Sequence, residues 1–380
     1  MKIAVTRERQ NYEKRVAITP EIVKKFISKN VDIIIESNAG ISSNISDSDF
    51  KKSGAKIINT ENKVLKEADI LLSVSGPKSA AEVNKLPDGI ILIGFLNPLE
   101  KPELTKIYAK KNITAFAMEL IPRISRAQNM DALSSQSNLA GYRSIIEALS
   151  VFTKALPMMI TAAGTIAPAK VLVLGAGVAG LQAIATAKRM GAIVSAFDVR
   201  PSVEEQVKSL GGKFIKIEDE EETDTDSGYA KEMSDDYQKK QSKLIHEHAI
   251  KSDIIITTAL IPGKPAPILI TKTTLDTMKK GSIVVDMAVD SGGNCESSSR
   301  GKTVTYNGVT IIGNANLPSM IPEDSSALYA RNIYNFLIPF INDKGNLNLE
   351  WTDEIILKSA LTKSGKILNK LVTKGESDGS

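Results

Sequence analysis

Lys170-Val171-Leu172-Val173-Leu174-Gly175-Ala176-Gly177-Val178-Ala179-Gly180 is the stretch on which the fold class turns. Its first five residues form a short apolar run, the pattern of a parallel strand buried on both faces. The three glycines have separate tasks. The first permits a tight turn, the second lets backbone approach a pyrophosphate, and the third lets the next helix pack closely on the strand. Residues 181–190 continue with alanines and spaced apolar residues, then stop at Gly191, a glycine just past a helix end. Such a helix aims its N-terminal N–H groups at the phosphates. Residues 192–197 read as a second strand that delivers Asp198, about 20 residues beyond the glycines, where an acid bonds ribose hydroxyls. Strand, glycines, helix, strand and acid in this order predict dinucleotide binding. The cofactor-binding residues expected from the unit are Gly175, Gly177, Val178, Gly180, Asp198, Val199 and Arg200, with Ala259 and Leu260 at the end of a later strand. A carboxylate at Asp198 would repel a 2′-phosphate, which favours NAD(H) over NADP(H). Arg200 weakens that inference, since an arginine there accommodates such a phosphate; it reads equally as a solvated loop cation before Pro201.

Outward from this unit, apolar runs alternate with helix-patterned stretches in both directions. Upstream the runs are 3–5, 31–35, 70–74, 90–95 and 114–118; downstream they are 213–217, 253–260, 282–288 and 309–313. Strands separated by helices imply parallel sheets covered on both faces. Thr19-Pro20-Glu21 reads as a helix start, with threonine as cap and proline in the first turn. Residues 138–161 read as a long connecting helix. Residues 325–341 have helical apolar spacing but no sheet left to join downstream, so they are expected to return to the first domain. The fold expected is α/β, with two Rossmann-like doubly wound parallel-sheet domains joined by long helices and a cleft between them. A discontinuous domain of residues 1–137 plus 320–380 would flank an NAD(H)-binding domain of residues 138–319.

Composition bounds the function. A length of 380 residues suits two domains, and 42% hydrophobic with 24% charged residues is ordinary for a globular chain. A net charge of +4 and 5% aromatics, with no basic patch, argue against nucleic-acid binding. Cys295 is the single cysteine, which excludes an internal disulfide and fits a reducing compartment. No apolar stretch approaches the roughly 20 residues that span a bilayer. The N-terminus begins directly on a strand, with no signal-peptide pattern, so a cytoplasmic location is expected. His246 and His248 are the only histidines. Their spacing puts them on different helix faces, and no metal site is expected. Most nicotinamide enzymes that oxidise an alcohol or amine need a base near neutral pH, usually histidine. The scarcity of imidazole here points to hydride movement without a proton.

Two further segments carry chemistry. Pro122-Arg123-Ile124-Ser125-Arg126-Ala127-Gln128-Asn129-Met130-Asp131-Ala132-Leu133-Ser134 follows a buried-looking strand. It is dense in groups that orient an amide or a ribose: guanidinium, amide, carboxylate and hydroxyl. Asp131 reads equally as a structural turn residue and Arg126 as a solvated cation. The second segment, residues 218–234, opens with an acidic run too polar to bury apolar surface and is expected to be a mobile loop. Within it Tyr229 and Met233 are placed to close over a ligand.

Arg15-Val16-Ala17-Ile18-Thr19-Pro20, the 123–134 loop, Gly141-Tyr142-Arg143, the glycine unit, Tyr229-Ala230-Lys231-Glu232-Met233 and Val285-Asp286-Met287-Ala288 together resemble the NAD(H)-binding component of proton-translocating nicotinamide nucleotide transhydrogenase. The resemblance runs over residues 1–341. It implies a homodimer that binds NADH and docks on an NADP(H)-binding component attached to a membrane-spanning one. Hydride would pass directly between the nicotinamides, with proton translocation in the membrane component. Gln128, Asp131 and Ser134 would hold the carboxamide and its ribose, Arg123 would anchor the same site, and Tyr229 would lie on the closing loop. Because the chain ends at Ser380 without hydrophobic spans, the partner components are expected on separate polypeptides, which would hold this chain peripherally at the inner or plasma membrane. The alternative within the wider superfamily is alanine dehydrogenase, which resembles the chain at Arg15, around Lys78 and at Asp290. That family uses a histidine in the first domain, where this chain reads Ile93-Gly94-Phe95-Leu96-Asn97-Pro98. Without it, amine oxidation lacks its proton acceptor.

Overall fold

The computed structural model describes residues 1–217, 234–261 and 263–369. They divide into two compact units, Met1–Gln136 with the segment from Ser319 onward, and Ser137–Pro318.

The first unit is built from β1 (Lys2–Val5), α1 (Pro20–Ile27), β2 (Asp32–Glu36), α2 (Asp47–Lys52), β3 (Lys56–Ile58), α3 (Glu61–Glu67), β4 (Ile70–Ser75), α4 (Ala80–Lys85), β5 (Ile91–Phe95), α5 (Pro102–Lys110) and β6 (Thr114–Ala117). The six strands are parallel, in the order β6-β5-β4-β1-β2-β3. Period-two alternation fills both faces: Ile3, Val5 and Leu72 join one core, Ala4 and Leu71 the other. Each fully buried Val, Leu or Ile side chain among them contributes about 1.5–3 kcal/mol. Thr19 stands at the N-cap of α1 but makes no side-chain cap bond, so Pro20 at the first turn is what starts this helix.

A long helix, α6 (Ala132–Val151), contains the division between the units. It starts earlier and ends sooner than residues 138–161, the span expected from sequence. Pro157 has no N–H to continue the ladder and disfavours helical backbone just before it. The following residues instead form an exposed antiparallel hairpin, β7 (Met159–Thr161) and β8 (Gly164–Ile166).

The second unit continues with β9 (Lys170–Leu174), α7 (Val178–Arg189), β10 (Ile193–Phe197), α8 (Glu204–Ser209), β11 (Lys213–Ile215), α9 (Asp235–Ala249), β12 (Ile254–Thr257), α10 (Lys272–Thr277), β13 (Ile283–Asp286), β14 (Lys302–Tyr306) and β15 (Val309–Gly313). Its order is β11-β10-β9-β12-β13-β15-β14, parallel except at β14. Val171 and Val173 face one core, Leu172 and Leu174 the other. The order reverses between β9 and β12, and in such sheets ligands bind beyond the strand ends at that switch point.

The chain then returns to the first unit through α11 (Pro322–Leu337), α12 (Glu354–Ser359), β16 (Ala360–Lys363) and β17 (Lys366–Ile367). Tyr329, Ile333, Phe336 and Leu337 of α11 enter the first unit's core, where Phe336 meets Phe116 edge-on at 5.4 Å. β16 adds antiparallel to β6 and β17 to β16, extending that sheet to eight strands.

Candidate functional site

In the second unit the glycine turn closes the C-terminal end of β9. Gly175 has φ +99°, a conformation that favours glycine, and its N–H donates to Phe197 O at 2.8 Å. A Cβ on Gly180 would lie 1.9 Å from Gly175 O, so α7 packs against the turn at a distance only glycine allows. A Cβ on Gly177 would have just one neighbour within 4 Å, the Arg200 guanidinium at 3.9 Å. Backbone open on that side at the N-terminus of a 12-residue helix is the cradle a pyrophosphate requires. Gly141 of α6 plays a matching role, since a Cβ there would meet Ala179 O at 2.0 Å.

Asp198 reaches the turn as expected but not as a bare acid. It is buried; one carboxylate oxygen accepts Ala176 N–H at 2.7 Å and Arg200 Nη2 at 2.8 Å. The other accepts Arg200 N–H and Nε, both at 2.9 Å. Arg200 is therefore a largely covered partner of Asp198, not a solvated cation. The pair cancels locally, so repulsion of a 2′-phosphate cannot be argued from Asp198 alone.

Ala259 and Leu260 lie just past β12, where Thr258 N–H donates to Leu174 O at 2.8 Å. Sequence reasoning missed the residue that holds them. Asn294, fully buried, accepts Ala259 N–H at 3.0 Å and donates to Ala259 O at 2.9 Å and Pro267 O at 2.8 Å. It is fixed in turn by Asp286, whose carboxylate accepts the N–H groups of Ala288, Asn294 and Cys295 at 3.0–3.1 Å. The only signal was Gly292-Gly293 before it, both with positive φ. Burial pushes the Cys295 thiol up to about 12, so it stays an inert core residue. His246 Nδ1 lies 3.1 Å from Thr274 Oγ1, and among the described residues no acidic, histidine or cysteine group could hold a metal ion.

In the first unit, Ser125–Met130 forms a 3-10 turn that leads into α6. Asp131 accepts both Ser134 N–H at 2.8 Å and Ser134 Oγ at 2.5 Å, which brings these two predicted residues together and caps the helix. The structural reading of Asp131 as a turn residue is thus satisfied alongside any binding role. Arg123 and Gln128 are exposed. Tyr229, and residues 218–233 of the loop containing it, lie outside the described residues, as does the tail from residue 370.

Buried charges gather at the C-terminal ends of β1, β4 and β5. Arg15 donates Nε and Nη2 to Glu13 at 2.8 and 2.7 Å and Nη1 to Gln136 at 2.7 Å. Every nitrogen of this guanidinium is engaged inside the protein. Glu8, partly buried, accepts Val74 N–H at 2.6 Å, and desolvation with Glu13 beside it pushes its carboxyl up to about 8. Burial raises Glu119 to about 7; Leu96 N–H donates to it at 2.9 Å. A raised carboxyl makes the folded chain hold a proton the unfolded chain has lost, so the contribution of Glu8 to stability is greatest at low pH and falls as pH rises from about 4.5 to about 8. Glu8→Gln should remove the upper portion of that fall, raising the unfolding midpoint near pH 9 by on the order of 5 °C relative to the parent chain while changing it little near pH 5. Parallel midpoint curves would mean Glu8 titrates alike in both states.

Comparison with known proteins agrees with this geometry. Residues 4–140 match the family described as "Alanine dehydrogenase/PNT, N-terminal domain" and residues 144–370 match "Alanine dehydrogenase/PNT, C-terminal domain". The chain is 48% identical to an NAD(P) transhydrogenase subunit alpha chain of Rhodospirillum rubrum, over 98% of this chain and 99% of that protein. A solved transhydrogenase from Sinorhizobium meliloti superposes with a TM-score of 0.87 at 46% identity, covering 97% of this chain and 100% of that one. Alanine dehydrogenase of Mycolicibacterium smegmatis is 30% identical over 98% of this chain and 96% of that protein.

Proposed function

The chain belongs to the alanine dehydrogenase/PNT family, and from that premise we infer that it is the NAD(H)-binding component of a NAD(P) transhydrogenase. The observation that carries this reading is 48% identity along nearly the whole length of a transhydrogenase subunit, against 30% to an alanine dehydrogenase. Site chemistry supports the same side. An amino-acid dehydrogenase needs a cation for the substrate carboxylate and a base for the amine, but Arg15 is closed by Glu13 and Gln136, and both histidines lie on α9 of the second unit.

Bound NAD(H) supplies or accepts the hydride, exchanged with NADP(H) on a partner component in a reaction coupled to proton translocation. The Gly175, Gly177 and Gly180 turn and the N-terminus of α7, from Val178, cradle its pyrophosphate. Asp198, Val199 and Arg200 bound the ribose side, with Asp198 held in place by the contacts described above. Ala259 and Leu260 border the same switch point and are kept there by Asn294. Gln128, Asp131 and Ser134 orient the carboxamide and its ribose, with Arg123 as anchor. No residue needs to take a proton, because hydride transfer from NADH to NADP⁺ releases none.

The assembly belongs to the same inference. Among the described residues no helix is long and apolar enough to cross a membrane. In this reading the membrane-spanning component is a partner, which would hold this chain at the membrane surface. The partner that exchanges hydride is defined by one chemistry, an NADP(H)-binding component. Self-association as a homodimer is supported by the β7–β8 hairpin, where Met158, Met159, Ile160 and Ile166 are exposed, Ile160 by 76%. The test mixes the purified chain with an NADP(H)-binding transhydrogenase component and follows hydride transfer from NADH to thio-NADP⁺, with L-alanine plus NAD⁺ beside it. Transfer is expected only in the mixture, and reduction of NAD⁺ by alanine would overturn the reading. Sedimentation of the same sample checks the dimer, which Ile160→Asp should convert to monomer; a parent chain that sediments as monomer rules the homodimer out.

A further inference from the structure

The turn that carries Gln128 is tied down by residues some two hundred positions away. Asn129 O accepts two side-chain amides, from Asn332 at 2.9 Å and from Asn335 at 3.0 Å. The two asparagines are three residues apart on α11, which places them on one face. Asn332 Oδ1 also accepts Ser135 Oγ at 2.7 Å, binding the first turn of α6 to the same side chain. On the other side of the turn Arg126 makes a two-pronged pair with Asp353, at 2.7 and 2.9 Å. Asp353 in turn accepts Ile355 N–H at 2.7 Å, which fixes it to the start of α12.

The ties made by Arg126 and Asn335 add little to stability. Arg126 is half-exposed, and an exposed ion pair is screened by solvent. Asn335 is only partly buried, and the first unit's core is complete without it. What the ties do specify is position. A carbonyl with both lone pairs bound to one rigid helix cannot rotate, and its peptide neighbours, Gln128 and Met130, are fixed with it. Gln128 itself is exposed, so its place depends on the backbone that carries it.

We propose that Asn332, Asn335 and Asp353 are positioning residues for hydride transfer, which clamp the Ser125–Met130 turn from outside so that the Gln128 amide is presented in one place. This rests on the reading that Gln128 orients the nicotinamide. The reacting carbons must come within about 3–3.5 Å, so a loosened turn should cost rate more than affinity.

The test is the double variant Arg126→Ala/Asn335→Ala in the full chain, which cuts one tie on each side and leaves the buried Asn332 untouched. Mixed with the NADP(H)-binding component, with NADH and thio-NADP⁺ as probes, it should transfer hydride about 5- to 10-fold more slowly at saturating NADH. Its NADH dissociation constant, read by NADH fluorescence, should stay within about twofold, and its unfolding midpoint should hold. Asn335→Gln alone, which keeps an amide donor, should retain most of the rate. An unchanged rate in the double variant overturns the proposal, as does equal loss of rate and affinity with a lowered midpoint. Gln128→Ala run alongside separates the two levels. If it is slow and the double variant is not, the clamp alone falls; if it transfers at full rate, the reading of Gln128 falls and takes the clamp with it.

Discussion

Gly180→Ala is expected to abolish tight NADH binding and to destabilise the chain by about 2–3 kcal/mol. The new methyl would sit 1.9 Å from Gly175 O and 2.9 Å from its carbonyl carbon, both backbone atoms that no rotamer change can move aside. Gly175 cannot retreat easily, because its own N–H is spent on Phe197 O at 2.8 Å at the end of β10. The helix must therefore shift away from β9, and the N–H groups at its start lose their common aim. Gly177→Ala is the contrasting variant. Its methyl would enter open space with only Arg200 within 4 Å, so the fold should be unaffected while NADH affinity falls because the cofactor's approach is filled. Fluorescence titration with NADH and urea unfolding measure both effects. A Gly180→Ala chain that binds NADH like the parent would remove the close-packing argument.

The second large effect is expected at Gln128. Gln128→Asn withdraws the amide by about one carbon–carbon bond, some 1.5 Å, while keeping its chemistry. Misplacement on that scale should slow hydride transfer by about 10- to 100-fold. NADH affinity should change little, since the proposed site puts most of the contact with the cofactor at the glycine turn. Because Gln128 is exposed, the substitution should leave the fold intact, and the comparison of rate with affinity stays clean. Equal losses in the two would make Gln128 a binding residue only.

The two sites differ in how far they could be read in advance. The glycine turn was legible because each glycine answers a local demand: a positive φ at Gly175, a close helix at Gly180 and open backbone at Gly177. Asp198 was legible as a position but not as an environment, since the sequence showed an acid and an arginine two residues apart without showing that they pair. Asn294 was legible only as a position after two glycines, not as a holder of the strand end. Its partners Ala259 and Pro267 are 35 and 27 residues away, and nothing in the spacing of a lone asparagine after two glycines marks it.

Proline showed the limit of periodicity. Apolar spacing beyond Val151 still fits a helix, but Pro157 ends that option, and its ring fills the space beside Gly191, where a Cβ would come within 2.6 Å of it. The edge strands β3, β14 and β17 also escaped notice, being short or polar on their outer faces, as did the four-residue β16 that joins β17 to β6.

By itself the sequence determined the α/β class, the run of parallel strands and the β9–α7–β10 nucleotide unit. Those follow from patterns of period two and 3.6 and from turn residues a few positions apart, where the chain's own geometry makes sequence neighbours into spatial ones. Only the tertiary structure decided that Arg200 covers Asp198, that Asn294 holds the strand end at Ala259, and that Asn332, Asn335 and Asp353 grip the turn at Gln128. Most of these are polar contacts between residues tens to hundreds of positions apart. Hydrogen bonds of that kind need only a donor and an acceptor brought to about 3 Å, which leaves no periodic trace in the chain.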